Sequence, residues 1–185
     1  MKKILEYNKI CAIMRNIPLE KTLDYAEAVY RGGVRMFEVA MNSDSAVRQI
    51  EIMRERFGGQ VYVGAGTVTT PERCRMAWEA GAQFFLTPSA TVGTMEFCRK
   101  YDIPLLPGVL TPTDVAVCLE YGYPIMKLFP AGDMPSSYIK SLKGPFVAGD
   151  TVQLPFVPKM VYRNDKASES AELNKYDVYY YSESL

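Results

Sequence analysis

Lys127 is the only charged residue in Pro124-Ile-Met-Lys-Leu-Phe-Pro130, an apolar run with strand character. A long cation in a core strand costs several kcal/mol unless it is paired or its pKa falls toward neutrality. A lysine of depressed pKa is a nucleophile toward ketones and forms Schiff bases with them. A lysine that lays its stem along a strand end and reaches water with its ammonium explains the same run without chemistry. Glu38 sharpens the choice. It lies in Met36-Phe-Glu-Val-Ala40, which would be continuously apolar without it, so solubility does not account for its placement. Two ionisable residues embedded in apolar runs favour a functional reading.

The chain contains no histidine. That excludes Ser-His and Cys-His nucleophile pairs and histidine-ligated zinc, and leaves proton transfer to Glu, Asp, Lys, Tyr or water. The four cysteines, Cys11, Cys74, Cys98 and Cys118, are widely spaced in apolar surroundings and form no C-x-x-C pair. They are expected to be reduced packing residues.

The elements that must carry Lys127 and Glu38 repeat along the chain. Short apolar runs at 10–14, 36–41, 61–63, 84–86, 103–106 and 125–129 alternate with amphipathic stretches at 19–30, 46–57, 71–80, 94–101, 113–121 and 135–142. Three of these stretches end alike, in Arg31-Gly-Gly-Val, Glu79-Ala-Gly-Ala and Glu120-Tyr-Gly-Tyr. A glycine there supplies the left-handed position that stops a helix. Pro71 and Pro112 fit the first turn of a helix, where a missing N–H is harmless. Strands roughly 20 to 26 residues apart with helices between them call for a parallel sheet and right-handed crossovers. Six such units favour a (β/α) barrel of the TIM type over an open doubly wound sheet. No G-x-G-x-x-G follows the first strand, and Gly64-Ala-Gly-Thr67 has only two of the glycines of a nucleotide loop.

In a barrel, chemistry gathers where strands end and βα loops begin. Those positions hold Arg15, Glu38 to Asn42, Thr67, Thr87-Pro88, Pro107-Gly108 and Lys127. Taken singly, Arg15 could be a surface ion-pair partner and Thr67 a helix cap before Pro71. Taken together, they bring a cation, a carboxylate, a hydroxyl and an amine to one face.

Composition adds bounds. At 185 residues the length suits one domain with a real core. Lys+Arg and Asp+Glu both number 21, so no global field argues for nucleic acid or a membrane surface. No apolar stretch approaches the roughly 20 residues of a spanning helix, and the polar start does not read as a signal peptide. The expected compartment is the cytoplasm.

The motifs Ala12-Ile-Met-Arg15, Gly32-Gly-Val-Arg-Met-Phe-Glu-Val39, Val63-Gly-Ala-Gly-Thr67, Ala80-Gly-Ala-Gln-Phe84, Leu86-Thr-Pro88, Pro107-Gly-Val-Leu-Thr-Pro112 and Lys127-Leu-Phe-Pro-Ala131 occur in this order. In them the chain resembles the 2-keto-3-deoxy-6-phospho-sugar-acid aldolases, class I aldolases related to 4-hydroxy-2-oxoglutarate aldolase. The resemblance covers residues 1–146. It implies a homotrimeric (β/α)8 barrel acting on a small keto acid, with neither metal nor organic cofactor. Lys127 would form the Schiff base and Glu38 would shuttle protons through a bound water. Thr67 would help hold the pyruvyl carboxylate, Arg15 would contact substrate, and Pro88 and Phe129 would shape the pocket. Glu38-Val-Ala-Met-Asn-Ser43 is closer to the galactonate-type than to the gluconate-type members, which leaves the substrate epimer open.

Residues 147–185 depart from that pattern. The family would continue with two further strands whose glycine-rich ends bind the substrate phosphate, and no such cradle can be read here. The tail is then a diverged ending that still closes the barrel, with a proline-broken strand at 154–162, or an out-of-frame or recombined end. A third reading is an appended segment in which Tyr176, Tyr179, Tyr180 and Tyr181 pack or form an interface. Six units alone would leave two strand edges unpaired. Three functions remain open: cleavage of a 6-phosphorylated 2-keto-3-deoxy sugar acid, cleavage of unphosphorylated 4-hydroxy-2-oxoglutarate, or a non-catalytic truncated barrel.

Overall fold

The computed structural model describes residues 1–131, 134–135 and 137–146, together with the backbone of 178–180. Seven short strands follow one another as β1 (Ile10–Met14), β2 (Met36–Ala40), β3 (Tyr62–Gly66), β4 (Phe85–Leu86), β5 (Leu105–Leu106), β6 (Gly108–Val109) and β7 (Lys127–Leu128). Helices α2 (Thr22–Arg31), α3 (Ala46–Phe57), α4 (Pro71–Glu79), α5 (Val92–Lys100), α6 (Pro112–Glu120) and α7 (Ser137–Lys143) connect or follow them. Neighbouring strands from β1 to β5 pair in parallel and in sequence order, and β6 pairs in parallel with β7. This is an α/β architecture, six units of a TIM-type barrel.

The fifth predicted strand ends at Leu106 as expected, and a further short strand, β6, follows it. Pro107 has no N–H to give to a ladder, and it separates β5 from β6. The result is two sheets, one of order β5-β4-β3-β2-β1 with an added strand, the other of β6 and β7 alone.

The added strand is β8 (Val178–Tyr180), which runs antiparallel along β1 and pairs Cys11 with Tyr179. The expectation of two bare edges is therefore corrected at one of them: the edge of β1 is paired. Among the described residues β7 has no strand on its far side. The possible strand at 154–162, Tyr176, Tyr181 and the rest of the divergent tail lie outside the described residues.

Successive strand residues point to opposite sides of a sheet, and here both sides are apolar, as a parallel sheet requires. Ala12, Met14, Phe37, Val39, Val63, Ala65, Phe85, Met126 and Leu128 pack with the helices in one buried cluster. Cys11, Met36, Phe84, Leu86, Leu106 and Ile125 form a second cluster on the other side. A helix that the sequence reading did not anticipate, α1 (Lys2–Tyr7), covers the second cluster with Ile4 and Leu5. Its polar exposed residues hid that apolar pair. All four cysteines are free and buried, as expected of packing residues.

The helix stops are as the glycines imply. At the end of α4, Gly81 has φ +92°, its N–H donates to the Trp78 carbonyl, and the Ala82 N–H donates to Ala77 at 3.0 Å. Gly33 and Gly122 close α2 and α6 in the same way. Pro71 and Pro112 stand in the first turns of α4 and α6.

Candidate active site

Glu38 and Lys127 stand one step further along their strands than the apolar cluster, on the same side. Met36 and Glu38 alternate with Phe37 on β2, and Ile125 precedes Lys127 by two residues. Glu38 is 2% exposed. Burial pushes its carboxyl above the usual carboxylate range, against the pull of the Lys127 and Arg15 charges, which favour the ionised form. Its Oε2 has no hydrogen-bond partner among the described residues. A buried acceptor is ordinarily hydrogen-bonded, so this oxygen is open to a donor other than the described side chains.

The two glycines of Gly64-Ala-Gly-Thr67 explain how a carboxylate fits there. A Cβ on Gly66 would fall on the Glu38 carboxylate, and a Cβ on Gly64 would fall into the Phe84 ring. The motif that resembles part of a nucleotide loop is instead a strand stripped of side chains on one side. The signal in the sequence was the spacing: glycines two apart in a strand lie on one face.

Lys127 is half-buried on β7. Its N–H donates to the Pro107 carbonyl at 2.8 Å, and Gly108 is its partner across the ladder. Its Nζ lies 4.9 Å from the centre of the Phe129 ring, a distance suited to a cation–π contact. Phe129 itself is 41% exposed, which places it at the rim. Arg15 follows β1 and is exposed, yet its charge reaches Glu38.

Thr67 follows β3 with φ +59°, a left-handed conformation that is strained for a β-branched residue. It is not a helix cap. Thr70 caps α4, accepting from the Arg73 N–H at 3.2 Å. The Thr67 carbonyl accepts from the Thr69 N–H at 3.1 Å and from the Arg73 guanidinium at 3.4 Å. Pro88 follows β4 and abuts Gly108, where a Cβ would meet the Pro88 backbone.

Thus the structure sets Glu38, Lys127 and Arg15 within electrostatic reach of one another, with Phe129 beneath the amine. Pro88 lies against the ladder partner of Lys127, and Thr67 follows the glycine that makes room for Glu38. Cys11 belongs to the surroundings as well: burial first, and then the Glu38 charge, push its thiol up, with Lys127 opposing. Sequence reasoning placed Cys11 only among packing residues. It also missed Gly66 and Gly108 as the positions that make the space.

A buried carboxylate with a free oxygen beside an amine can hold and move a proton while the amine attacks a carbonyl carbon. Comparison with known proteins points the same way. A family model described as KDPG and KHG aldolase matches residues 1–159. The KHG/KDPG aldolase of Escherichia coli K12 is 34% identical over 140 residues, which are 76% of this chain and 63% of that protein. This chain thus spans under two thirds of that relative's length. The crystal structure of the 2-keto-3-deoxy-6-phosphogluconate aldolase of Zymomonas mobilis ZM4 with 3-phosphoglycerate superposes with a TM-score of 0.76 at 28% identity, covering 85% of this chain and 73% of that one. The KDPG aldolase of Legionella pneumophila, with pyruvate captured at low pH as a covalent carbinolamine intermediate, gives 0.72 at 31% identity, covering 80% and 70%.

Proposed function

The chain belongs to the KDPG and KHG aldolase family, and from that membership we propose that it is a class I aldolase that forms its Schiff base at Lys127. The observation that carries the reading is the pairing of two strand-borne groups: the Lys127 amine and the buried Glu38 carboxylate, with one oxygen unpartnered and the Lys127 charge acting on it.

The Lys127 amine attacks the C2 ketone and, with loss of water, gives an iminium. Glu38, through a water, takes the proton of the C4 hydroxyl. The C3–C4 bond breaks, its electrons pass into the iminium to give an enamine, and the aldehyde leaves. The same carboxyl returns a proton to C3, and hydrolysis frees pyruvate and Lys127. A carboxyl raised above its usual range is suited to both transfers, since its proton is then held neither too tightly nor too loosely. Thr67 helps hold the pyruvyl carboxylate and Arg15 contacts substrate, while Pro88 and Phe129 shape the pocket.

The substrate we propose is a 2-keto-3-deoxy-6-phospho-sugar acid, cleaved to pyruvate and D-glyceraldehyde 3-phosphate. The second reading is 4-hydroxy-2-oxoglutarate, cleaved to pyruvate and glyoxylate; no phosphate cradle can be read from 147–185, and this substrate needs none. Assembly as a homotrimer in the cytoplasm belongs to the same proposal. Among the described residues no helix is long and apolar enough to cross a membrane.

Borohydride reduction in the presence of pyruvate tests the chemistry. The expected result is a mass increase on the chain that is lost in Lys127→Ala. A folded chain that gains no mass overturns the aldolase reading in favour of a non-catalytic barrel. Rates with phosphorylated and unphosphorylated keto acids then decide between the two substrates.

A further inference from the structure

The Schiff-base lysine and the carboxylate belong to different sheets: Glu38 to the sheet that ends at β5, Lys127 to the β6–β7 pair. Pro107 interrupts the ladder; the chain itself and the shared buried clusters hold the two sheets together, and the hydrogen bonds at the interruption are the polar ties between them. At this joint stands Thr87, which directly follows β4 and is 1% exposed. Its own N–H continues the first sheet by donating to the Leu106 carbonyl at 3.2 Å. Its hydroxyl accepts the Gly108 N–H at 3.2 Å and donates to the Ser89 carbonyl at 2.8 Å. Gly108 is the first residue of the second sheet and the ladder partner of Lys127.

The joint is also tight. A Cβ on Gly108 would meet the backbone of Thr87 and Pro88, so β6 can approach only because it begins with glycine. The Thr87 hydroxyl is thus a side-chain tie across the joint, beside the covalent link at Pro107, with both hydrogen-bonding roles used, in a place where a serine can act and a valine cannot.

We propose that Thr87 is a positioning residue of the Schiff-base chemistry, its hydroxyl fixing the separation of Lys127 from Glu38 across the gap between the two sheets. The inference rests on the aldolase reading and specifies it: Thr87 touches neither substrate nor reacting atoms and acts through Gly108. A displacement near 1 Å of a reacting group can cost about 10²-fold in rate, so the effect is measurable if the joint slackens.

The experiment is borohydride trapping of the full chain with pyruvate. The Lys127 amine and the C2 carbonyl form an imine with loss of water, and hydride reduces it to a stable secondary amine. Wild type, Thr87→Ser and Thr87→Val are compared at saturating pyruvate and across pH. We expect Thr87→Val to trap about tenfold or more slowly, and Thr87→Ser to stay within about threefold of wild type. We also expect the acidic limb of the Thr87→Val profile to move to higher pH. Glu38 faces Lys127, Arg15 and Cys11, and a more distant Lys127 gives its carboxylate less support. Loss of packing alone would lower the yield of folded protein without moving that limb. If Thr87→Val does not fold, Thr87→Cys takes its place, its thiol being a weaker acceptor, with the same ordering expected. Trapping by Thr87→Val or Thr87→Cys at the wild-type rate and pH, or by Thr87→Ser as slowly as by valine, overturns the inference alone. No adduct in folded wild type overturns the aldolase reading, and this inference with it.

Discussion

Met36 and Glu38 lie on the same side of β2, Leu106 and Gly108 on either side of Pro107, and Ile125 and Lys127 on the same side of the run that forms β7. The first of each pair belongs to the buried cluster that α1 covers, and the second to the site. One strand step separates a layer that packs from a layer that reacts. The lower layer is filled: Phe84 occupies the space beside Gly64, and Ile4 and Leu5 close it from below. The upper layer gives the same room to polar groups: the Glu38 carboxylate takes the space beside Gly66 and the Thr87–Pro88 backbone that beside Gly108, and the carboxylate has an oxygen with no partner among the described residues. The same backbone thus supports both, and the difference lies in what each layer spends its burial on, packing in one and a perturbed acid in the other.

The comparison breaks most visibly at Lys127. Lys127→Met puts an apolar side chain of similar length in the upper layer. The borohydride adduct with pyruvate is expected to vanish while the chain still folds, and loss of the Lys127 charge pushes the buried Glu38 carboxyl further toward its protonated form. An adduct that persists in Lys127→Met would move the nucleophile elsewhere.

Glu38→Gln is expected to have the next largest effect. Adduct formation with pyruvate is retained in part, and the exchange of pyruvate C3 protons for deuterium falls by about 10²- to 10⁴-fold, the usual contribution of a positioned acid–base. Stability moves the other way. The folded-state pKa of Glu38 is raised, mainly by burial, so its protonated form favours folding. That contribution is fully present below the ordinary carboxylate value and is lost as pH rises through the raised one. At neutral pH the glutamine is therefore expected to be the more stable chain in denaturant melts, with the gap closing as the pH falls toward that of an ordinary carboxylate. Exchange at the wild-type rate would remove Glu38 from the chemistry.

A matched pair of methyl groups tests the layers directly. Gly64→Ala and Gly66→Ala add the same atom to the same face of β3, two residues apart. In Gly64→Ala the methyl meets the Phe84 ring, and overpacking is expected to cost about 1–3 kcal/mol of stability with chemistry intact. In Gly66→Ala it meets the Glu38 carboxylate, and proton exchange is expected to fall more than stability does. Equal effects on exchange from the two would show that the layers are not separate.

Much of this division was legible in the residues. Glu38 and Lys127 interrupt apolar runs, and an interruption of that kind survives only where it has a use. The helix stops at Gly33, Gly81 and Gly122 and the starts at Pro71 and Pro112 were readable because backbone constraints are local. What was not legible depends on neighbours distant in sequence. Gly66 is explained by a carboxylate 28 positions earlier and Gly108 by a turn 20 positions earlier, contacts that only the folded sheet creates. Pro107 was read as a strand end, and nothing local in Gly108-Val109 shows that pairing resumes beyond it, since the partner is β7, 19 positions later. The pairing of β8 with β1 rests on an edge that exists only once β1 has its sheet.

The smallest expected effect provides the control. Asp114, on the first turn of α6, closes a capping box: its carboxylate accepts from the Leu110 N–H at 3.0 Å, the Thr111 N–H at 2.8 Å and the Thr111 hydroxyl at 2.9 Å, and Thr111 accepts from the Asp114 N–H. Burial raises its pKa, but these donors outweigh burial and the net shift is downward. A depressed acid contributes stability above the unfolded-state pKa and loses it as pH falls through the folded one. Asp114→Asn is expected to cost about 1 kcal/mol at neutral pH, less in acid, and to leave the rate of adduct formation unchanged. Glu38→Gln and Asp114→Asn are then the same replacement, acid by amide, with opposite signs in one denaturant series. The buried carboxyl is destabilising where it is charged and unpaired; the half-buried one is stabilising where three donors meet it. A Glu38→Gln chain that loses stability as Asp114→Asn does would mean that Glu38 is held by partners of its own, and the upper layer would be packing after all.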